Sequence, residues 1–296
     1  MSDAIRHPVP LRSVLFVPGD RPDRVVKAFA SGVDAVAVDL EDAVAMDHKP
    51  EARELAVNAI RALPAQGPVV LVRVNAMDSA EISADVEALT RVIDRVDAVI
   101  LAMASTPDDV RALASLLERA EAESGTVAGH TRILPLIETA SGVMNSREIA
   151  AESRVLTLTF GPADLSRELG ITPSASGDEM ATARSLVVLA AAANTLQRPV
   201  DGPYLTLGDD EGLRLSVASA RRLGFGGKQI IHPSQLNMVS GAFGPTPAEL
   251  EWAQKVHNAF REAEERGVSS IRLDDGTFID YPIARRARTL LEESGQ

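Results

Sequence analysis

The sequence has no cysteine. That removes disulfide frameworks, thiol nucleophiles and thiolate-ligated zinc together, and it fits a cytoplasmic location. Aromatic residues make up only 3% of the chain, too few for a platform on which bases stack. Positive charge is scarce as well. Asp and Glu number 42 against 30 Lys and Arg, a net charge of −12, which disfavours a broad basic face for nucleic acid. An anionic substrate must then be met by a few local arginines or by a metal. No apolar run reaches the length of a membrane helix, so no membrane partner is expected. The polar stretch Met1 to Pro10, with His7-Pro8 inside it, lacks the apolar core of a secretory signal.

What the chain does have is 296 residues, 45% of them hydrophobic, enough for a large core. Short β-branched runs alternate with longer helical stretches. Strands are expected at Val14 to Val17, Ala35 to Leu40, Val69 to Val74, Ala98 to Ala102, Ile133 to Ile137, Leu156 to Phe160, Arg198 to Gly202 (short and weak) and Lys228 to Ile231. Helices are expected at Arg21 to Ser31, Glu51 to Ala62, Pro107 to Glu123, from about Ser141, at Glu179 to Leu196 and at Asp209 to Leu223. Eight such alternations predict an α/β fold of the (β/α)₈ barrel type over residues 1–242. The rival, an open doubly wound sheet, usually carries a Gly-rich dinucleotide turn after an early strand, and Val17-Pro18-Gly19-Asp20 is not that turn. Residues 243–296 read as helices at Pro247 to Arg266 and Ile283 to Glu293 around a small hairpin containing Asp274-Asp275-Gly276. This extension looks too small for a core of its own. It is expected to act as a lid on a barrel, its own or a neighbour's, rather than as an independent domain.

Barrel chemistry sits at the C-terminal ends of the strands. Here those ends carry Asp39-Leu40-Glu41-Asp42, Arg73-Val74-Asn75, Glu138-Thr139, Gly161-Pro162-Ala163-Asp164 and His232-Pro233. Several acids and one arginine converging on one mouth repel unless a cation joins them. Mg²⁺, or Mn²⁺ in its place, takes one or two carboxylates with water and substrate oxygens, and Glu138 and Asp164 on adjacent strands are natural ligands. Each residue alone has a plainer reading. Asp42 could start a helix, Arg73 could form a structural ion pair with Glu41, and His232 could pack in its loop. It is their conjunction at one end of one barrel that favours a site.

These residues resemble those of the citrate lyase β-subunit-like proteins, a family of the HpcH/HpaI aldolase superfamily. The match runs in order through Leu15-Phe16-Val17-Pro18-Gly19-Asp20-Arg21-Pro22, Asp39-Leu40-Glu41-Asp42-Ala43-Val44, Val72-Arg73-Val74-Asn75, Ile137-Glu138-Thr139-Ala140-Ser141-Gly142, Phe160-Gly161-Pro162-Ala163-Asp164-Leu165 and Gly226-Gly227-Lys228-Gln229-Ile230-Ile231-His232-Pro233. The resemblance implies a Mg²⁺-dependent carbon–carbon lyase acting on a β-hydroxyacyl thioester of the malyl-, β-methylmalyl- or citramalyl-CoA type. It also implies a homotrimer whose C-terminal segment closes over a neighbouring site. By motif, Glu138 and Asp164 would bind Mg²⁺ and Arg73 would bind substrate oxygens. The Gly161-Pro162-Ala163 stretch, read as a loop, would offer backbone N–H groups to a substrate carboxylate. Phe278-Ile279-Asp280 is similar to the lid motif, which makes Asp280 the general acid/base. Asp39, Glu41 and Asp42 would orient metal-bound water. Arg21, Arg24, Lys27 and His232 are candidates for contacting CoA, although a solvated face explains the first three equally well.

Two departures bear on mechanism. Many relatives carry Leu-Pro-Lys where this chain has Leu101-Ala102-Met103, so that lysine is missing. In the aldolase branch a histidine stands where this chain has Asp42, which argues against a free 2-oxo-acid aldolase. The alternatives are a citrate lyase β-subunit acting on an acyl-carrier-protein thioester, a metal-dependent 2-oxo-acid aldolase, against which the missing histidine weighs, and a non-catalytic binding protein that kept the barrel.

Overall fold

The computed structural model describes residues 10–174, 176–273 and 275–294. The reading of Met1 to Pro10 therefore falls outside the described residues except at Pro10, as does Asp274 of the expected hairpin. Contacts divide the chain between Ser240 and Gly241 into two compact units.

In the first unit eight parallel strands close into a barrel in sequence order: β1 (Ser13–Pro18), β2 (Ala35–Asp39), β3 (Val69–Val74), β4 (Ala98–Leu101), β5 (Arg132–Ile137), β6 (Thr159–Phe160), β7 (Val200–Asp201) and β8 (Gly227–Ile230). The helices α1 (Pro22–Phe29), α2 (Lys49–Ala62), α3 (Ile82–Thr90), α4 (Pro107–Ser124), α5 (Ala140–Met144), α6 (Ser146–Ala150), α7 (Pro162–Leu169), α8 (Ala181–Ala193) and α9 (Asp210–Leu223) follow the strands, and α10 (Leu236–Ala242) follows β8. The expected fold class is the observed one.

Strand alternation decides which residues fill the barrel. Val14, Ala35, Ala37, Leu71, Ala98, Ile100, Leu134, Leu136 and Val200 form one cluster drawn from strands all round the sheet, so they line its interior. Side chains two residues further along point the same way. Phe16, Asp39, Arg73 and Glu138 therefore inherit the inward direction at the C-terminal ends of β1, β2, β3 and β5. The opposite parity faces the helices, where Val36, Val38, Val72 and Val99 are fully buried. Closure is tight where β8 meets the entry to β1. A side chain at Gly227 would come within 1.8 Å of the Leu11 carbonyl oxygen.

Sequence signals located most helices through their ends. Thr106 and Asp109 form a reciprocal capping box at α4, with Pro107 in its first turn, and Gly125 ends it in the left-handed region. Three helices were not expected: α3, α7 and α10. The nine-residue α3 starts without a side-chain cap. At α7, Gly161-Pro162 reads as a loop but opens a helix, because proline is tolerated in a first turn. The sixth strand is shorter than Leu156 to Phe160, reduced to two residues preceded by an isolated bridge from Ile133 to Val155.

The second unit contains α11 (Pro247–Glu265), the antiparallel pair β9 (Ile271–Arg272) and β10 (Phe278–Ile279), and α12 (Tyr281–Glu293). The expectation that this segment has no core of its own is corrected. Ala253, Val256, Phe260, Ile279, Ala284, Ala287 and Leu291 pack together, and Tyr281 meets the Phe260 ring edge-on at 5.2 Å. Two amphipathic helices and a hairpin suffice for a small apolar cluster.

Replacing Gly227 with alanine tests barrel closure. The added methyl must displace backbone rather than a flexible side chain. The expected loss of stability is about 1–3 kcal/mol in a denaturant titration.

Candidate active site

Register brings the first charges together. Asp39 and Arg73 are paired neighbours on β2 and β3, and both point inward. Arg73 Nε donates to Asp39 Oδ1 at 2.8 Å, its second guanidinium nitrogen donates to Asp39 Oδ2, and its third lies 2.9 Å from Glu41 Oε2. The guanidinium also lies 5.4 Å from the centre of the Phe16 ring. Burial works against the cation, but the charges of Asp39, Glu41 and Glu138 outweigh it and push the Arg73 pKa further up. Arg73 remains charged. The ion pair with Glu41 read from the sequence is present, and it belongs to the same mouth as the other acids.

Glu41 folds back on its own turn. Its backbone N–H donates to Asp39 Oδ1 at 2.9 Å, and its Oε2 accepts from the Asp42 N–H at 2.8 Å. Burial raises its pKa to about 7, against the pull of Arg73, with the charges of Asp42 and Asp39 adding to the rise. Asp42 itself is exposed.

Glu138, immediately after β5, is 4% exposed. Its Oε1 accepts from the Met103 N–H at 2.8 Å. Burial pushes its pKa up to about 8; the Met103 N–H and Arg73 lower it only in part, and Glu41 and Asp164 raise it further. Gly161 leaves the space that Glu138 occupies, because a Cβ there would stand 2.5 Å from both Cβ and Oε2 of Glu138. Asp164 sits in the first turn of α7, about a quarter exposed, with Oδ1 accepting from Arg167 at 2.8 Å. Arg73, Asp39, Glu41, Glu138 and Asp164 are thus one electrostatic cluster.

The expected backbone donors of this stretch are altered by α7. The Gly161 N–H is taken by the Ile137 carbonyl at 3.0 Å, and Pro162 has none. Ala163 and Asp164 keep first-turn amides, which a helix leaves without an intrahelical partner. Arg21, Arg24 and Lys27 are exposed on and before α1, with Lys27 3.6 Å from Asp23. His232 is exposed after β8, its Nδ1 2.9 Å from Ser234 Oγ. Asp280 lies in the second unit, where its Oδ1 caps α12 by accepting the Ile283 N–H at 3.2 Å.

Sequence reasoning missed the support beneath the mouth. Lys49, 5% exposed, donates from Nζ to the carbonyls of Leu40 (2.8 Å) and Glu41 (3.0 Å) and to Asn75 Oδ1 (2.8 Å). Asn75 in turn donates from Nδ2 to Asp85 Oδ2 at 2.6 Å, and Asp85 accepts from Arg53 Nε at 2.8 Å. This chain fixes the turn that carries Asp39 and Glu41. Asn75 stood among the polar strand ends of the sequence, but Lys49, Arg53 and Asp85 come from α2 and α3, and no sequence spacing announces them.

Can this donor set hold a metal? The donors are hard oxygens. Among the described residues no group of three or more His, Cys, Asp or Glu side chains is arranged as a metal cage. Two carboxylates completed by water and substrate oxygens are what Mg²⁺ favours. Burial pushes the Glu138 pKa up to about 8 because Arg73 compensates its charge only in part, and a divalent cation would add the missing positive charge. The residues fit.

Residues 12–233 match the HpcH/HpaI aldolase/citrate lyase family. The chain belongs to this family of carbon–carbon lyases. It is 36% identical over 271 residues to a (3S)-malyl-CoA thioesterase of Cereibacter sphaeroides, covering 92% of this chain and 90% of that one. It is 32% identical to the citrate lyase subunit beta of Escherichia coli, covering 96% and 93%. Among solved structures it is similar to the protein CitE of Mycobacterium tuberculosis in complex with magnesium, acetoacetate and coenzyme A. That likeness has a TM-score of 0.80 and 31% identity, over 99% of this chain and 100% of that chain.

The Glu138 shift has a stability consequence. Between the ordinary 4.5 and about 8 the folded, metal-free protein holds a proton that the unfolded chain has lost. Stability must fall as pH rises through that window. Glu41 contributes over the lower part, up to about 7. Glu138→Gln should flatten the dependence of melting temperature on pH in EDTA and raise the melting temperature above pH 8. A slope equal to that of the unaltered protein would refute the assignment.

Proposed function

We propose that this protein cleaves a β-hydroxyacyl-CoA of the malyl-, β-methylmalyl- or citramalyl-CoA type into a 2-oxo acid and an acyl-CoA. Mg²⁺ would be held by Glu138 and Asp164. The observation that carries this reading is the buried Glu138 carboxyl, under-compensated by charge, beside Arg73 and Asp164 at the mouth of a barrel. The magnesium, acetoacetate and coenzyme A bound by the similar M. tuberculosis protein support it.

Bound there, Mg²⁺ would supply the positive charge that lowers the pKa of the substrate hydroxyl. The chain's own groups do the rest. Arg73 spends three of its five N–H groups on Asp39 and Glu41, which leaves two for substrate oxygens, oriented by the clamp. Ala163 and Asp164 offer first-turn amides to a carboxylate. The hydroxyl gives its proton to water at the mouth, its oxygen forms the carbonyl of the 2-oxo acid, and the carbon–carbon bond breaks with its electron pair passing to the thioester half as an enolate. Asp280 then protonates the enolate carbon, and in the condensation direction it removes that proton. Arg21, Arg24, Lys27 and His232 are assigned to CoA. The C-terminal unit acts as the lid that brings Asp280 to a site, in a homotrimer. The exposed Leu186 and Leu189 on α8 (37% and 63%) offer apolar surface for assembly. The acyl group is left open, since one methyl in a pocket is worth about 1–3 kcal/mol.

A second reading is hydrolysis of the thioester, favoured by the relatives named (3S)-malyl-CoA thioesterase. Incubation with the three thioesters, in Mg²⁺ and in EDTA, separates the two. A lyase releases glyoxylate or pyruvate with no free thiol, whereas a thioesterase releases thiol with no 2-oxo acid. Release of neither, with Mg²⁺ bound, would move the substrate to a carrier-protein thioester or a free 2-oxo acid. Asp280→Asn is expected to abolish turnover and leave the Mg²⁺ dissociation constant unchanged in calorimetry. Full activity in that variant would remove Asp280 from the mechanism.

A further inference from the structure

Met103 has φ +53°, the left-handed region that a non-glycine residue enters at a cost. It stands just past β4, and its N–H donates to Glu138 Oε1. Strained backbone of this kind persists only when its surroundings over-determine it, and here they do. Ser105 Oγ donates to the Met103 carbonyl at 2.9 Å. With that proton committed, the 2.8 Å contact between Ser105 Oγ and Thr139 Oγ1 must use the Thr139 proton. Thr139 Oγ1 then accepts the Gly142 N–H at 2.9 Å. Asn145 Nδ2 holds the Ser105 carbonyl from the other side, at 2.8 Å. The hydroxyl relay runs one way, from the start of α5 to the Met103 carbonyl, and so fixes residue 103, whose N–H, in the peptide before, holds the carboxyl that the proposed function gives to the metal.

We propose that the 103–105 turn is a backbone clamp that positions Glu138 for metal. Met103 and Ser105 act as positioning residues, and Thr139 is the pillar of the clamp. The clamp commits Oε1 to an amide and leaves Oε2, the oxygen beside Gly161, for the cation. It explains why the residue before the pillar is the ligand. Glu138 and Thr139 are consecutive, one pointing into the barrel and the other fixing the loop that aims it. The side chain of Met103 is not the active part; its backbone N–H and carbonyl are.

This inference rests on Glu138 binding Mg²⁺, and calorimetric titration of the full-length protein with Mg²⁺ tests both at separable points. Asparagine tolerates the left-handed region and valine does not. Met103→Asn should keep the dissociation constant of the unaltered protein. Met103→Val and Ser105→Ala should each weaken Mg²⁺ binding by about tenfold or more, the scale for partners that orient metal ligands. Melting in EDTA checks that each variant is folded, and Ser105→Ala carries the test if Met103→Val is not. Unchanged Mg²⁺ affinity in Ser105→Ala overturns the clamp. Equal loss in Met103→Asn overturns it too, because the side chain would then be the active part. An unaltered protein that takes up no Mg²⁺ overturns the metal reading, and the clamp falls with it.

Discussion

A buried guanidinium surrounded by carboxyls sets the terms for the mouth of this barrel. Arg73 can sit among Asp39, Glu41 and Glu138 because two of its edges are closed by bidentate and monodentate pairing and its face by Phe16. Breaking one half of such a pair leaves an uncompensated charge away from water, which costs about 3–5 kcal/mol. The geometry is therefore held firmly. The Asp39 turn is fixed from below by Lys49 and Asn75, which reach Asp85 and Arg53 in the helical layer. The polar chain beneath the mouth holds the turn that carries the acids of that ion pair.

The same residue types behave oppositely elsewhere in the barrel. Before β5, at the other end of the sheet, Glu121 is fully buried. Burial alone would raise its pKa, but two bonds from Arg154 and the amides of Thr131 and Gly129 outweigh that and lower it. On the outer face of β7, Asp201 is shared by Arg184 and Lys228. In both places every acid has its cation at hydrogen-bond distance. Glu138 receives one backbone amide and a cation only at longer range. Glu138 is thus the carboxyl of the three whose charge is least compensated by its neighbours.

Glu138 is joined to the rest by backbone as much as by charge. Its place depends on Gly161 leaving room, on the strained Met103 peptide and on hydroxyls that run back to α5. A side chain at the end of a rigid strand, aimed by a neighbouring loop, is held more precisely than one on a loop alone.

The period-two and helical patterns were legible in the chain because burial imposes them residue by residue. They were enough for eight strands and a barrel, with Asp39, Arg73 and Glu138 at strand ends. The polar strand ends were legible too, since a barrel's chemistry collects there. What no local pattern records is contact between distant segments. The partnership of Lys49 with Asn75, the grip of Met103 on Glu138 and the small core of Val256, Phe260 and Leu291 all depend on chain brought together from separate segments. Sequence alone determined which residues could face the mouth. Tertiary structure decided which of them lack a partner there, because a pKa or a hydrogen bond is set by surroundings that the order of residues does not contain.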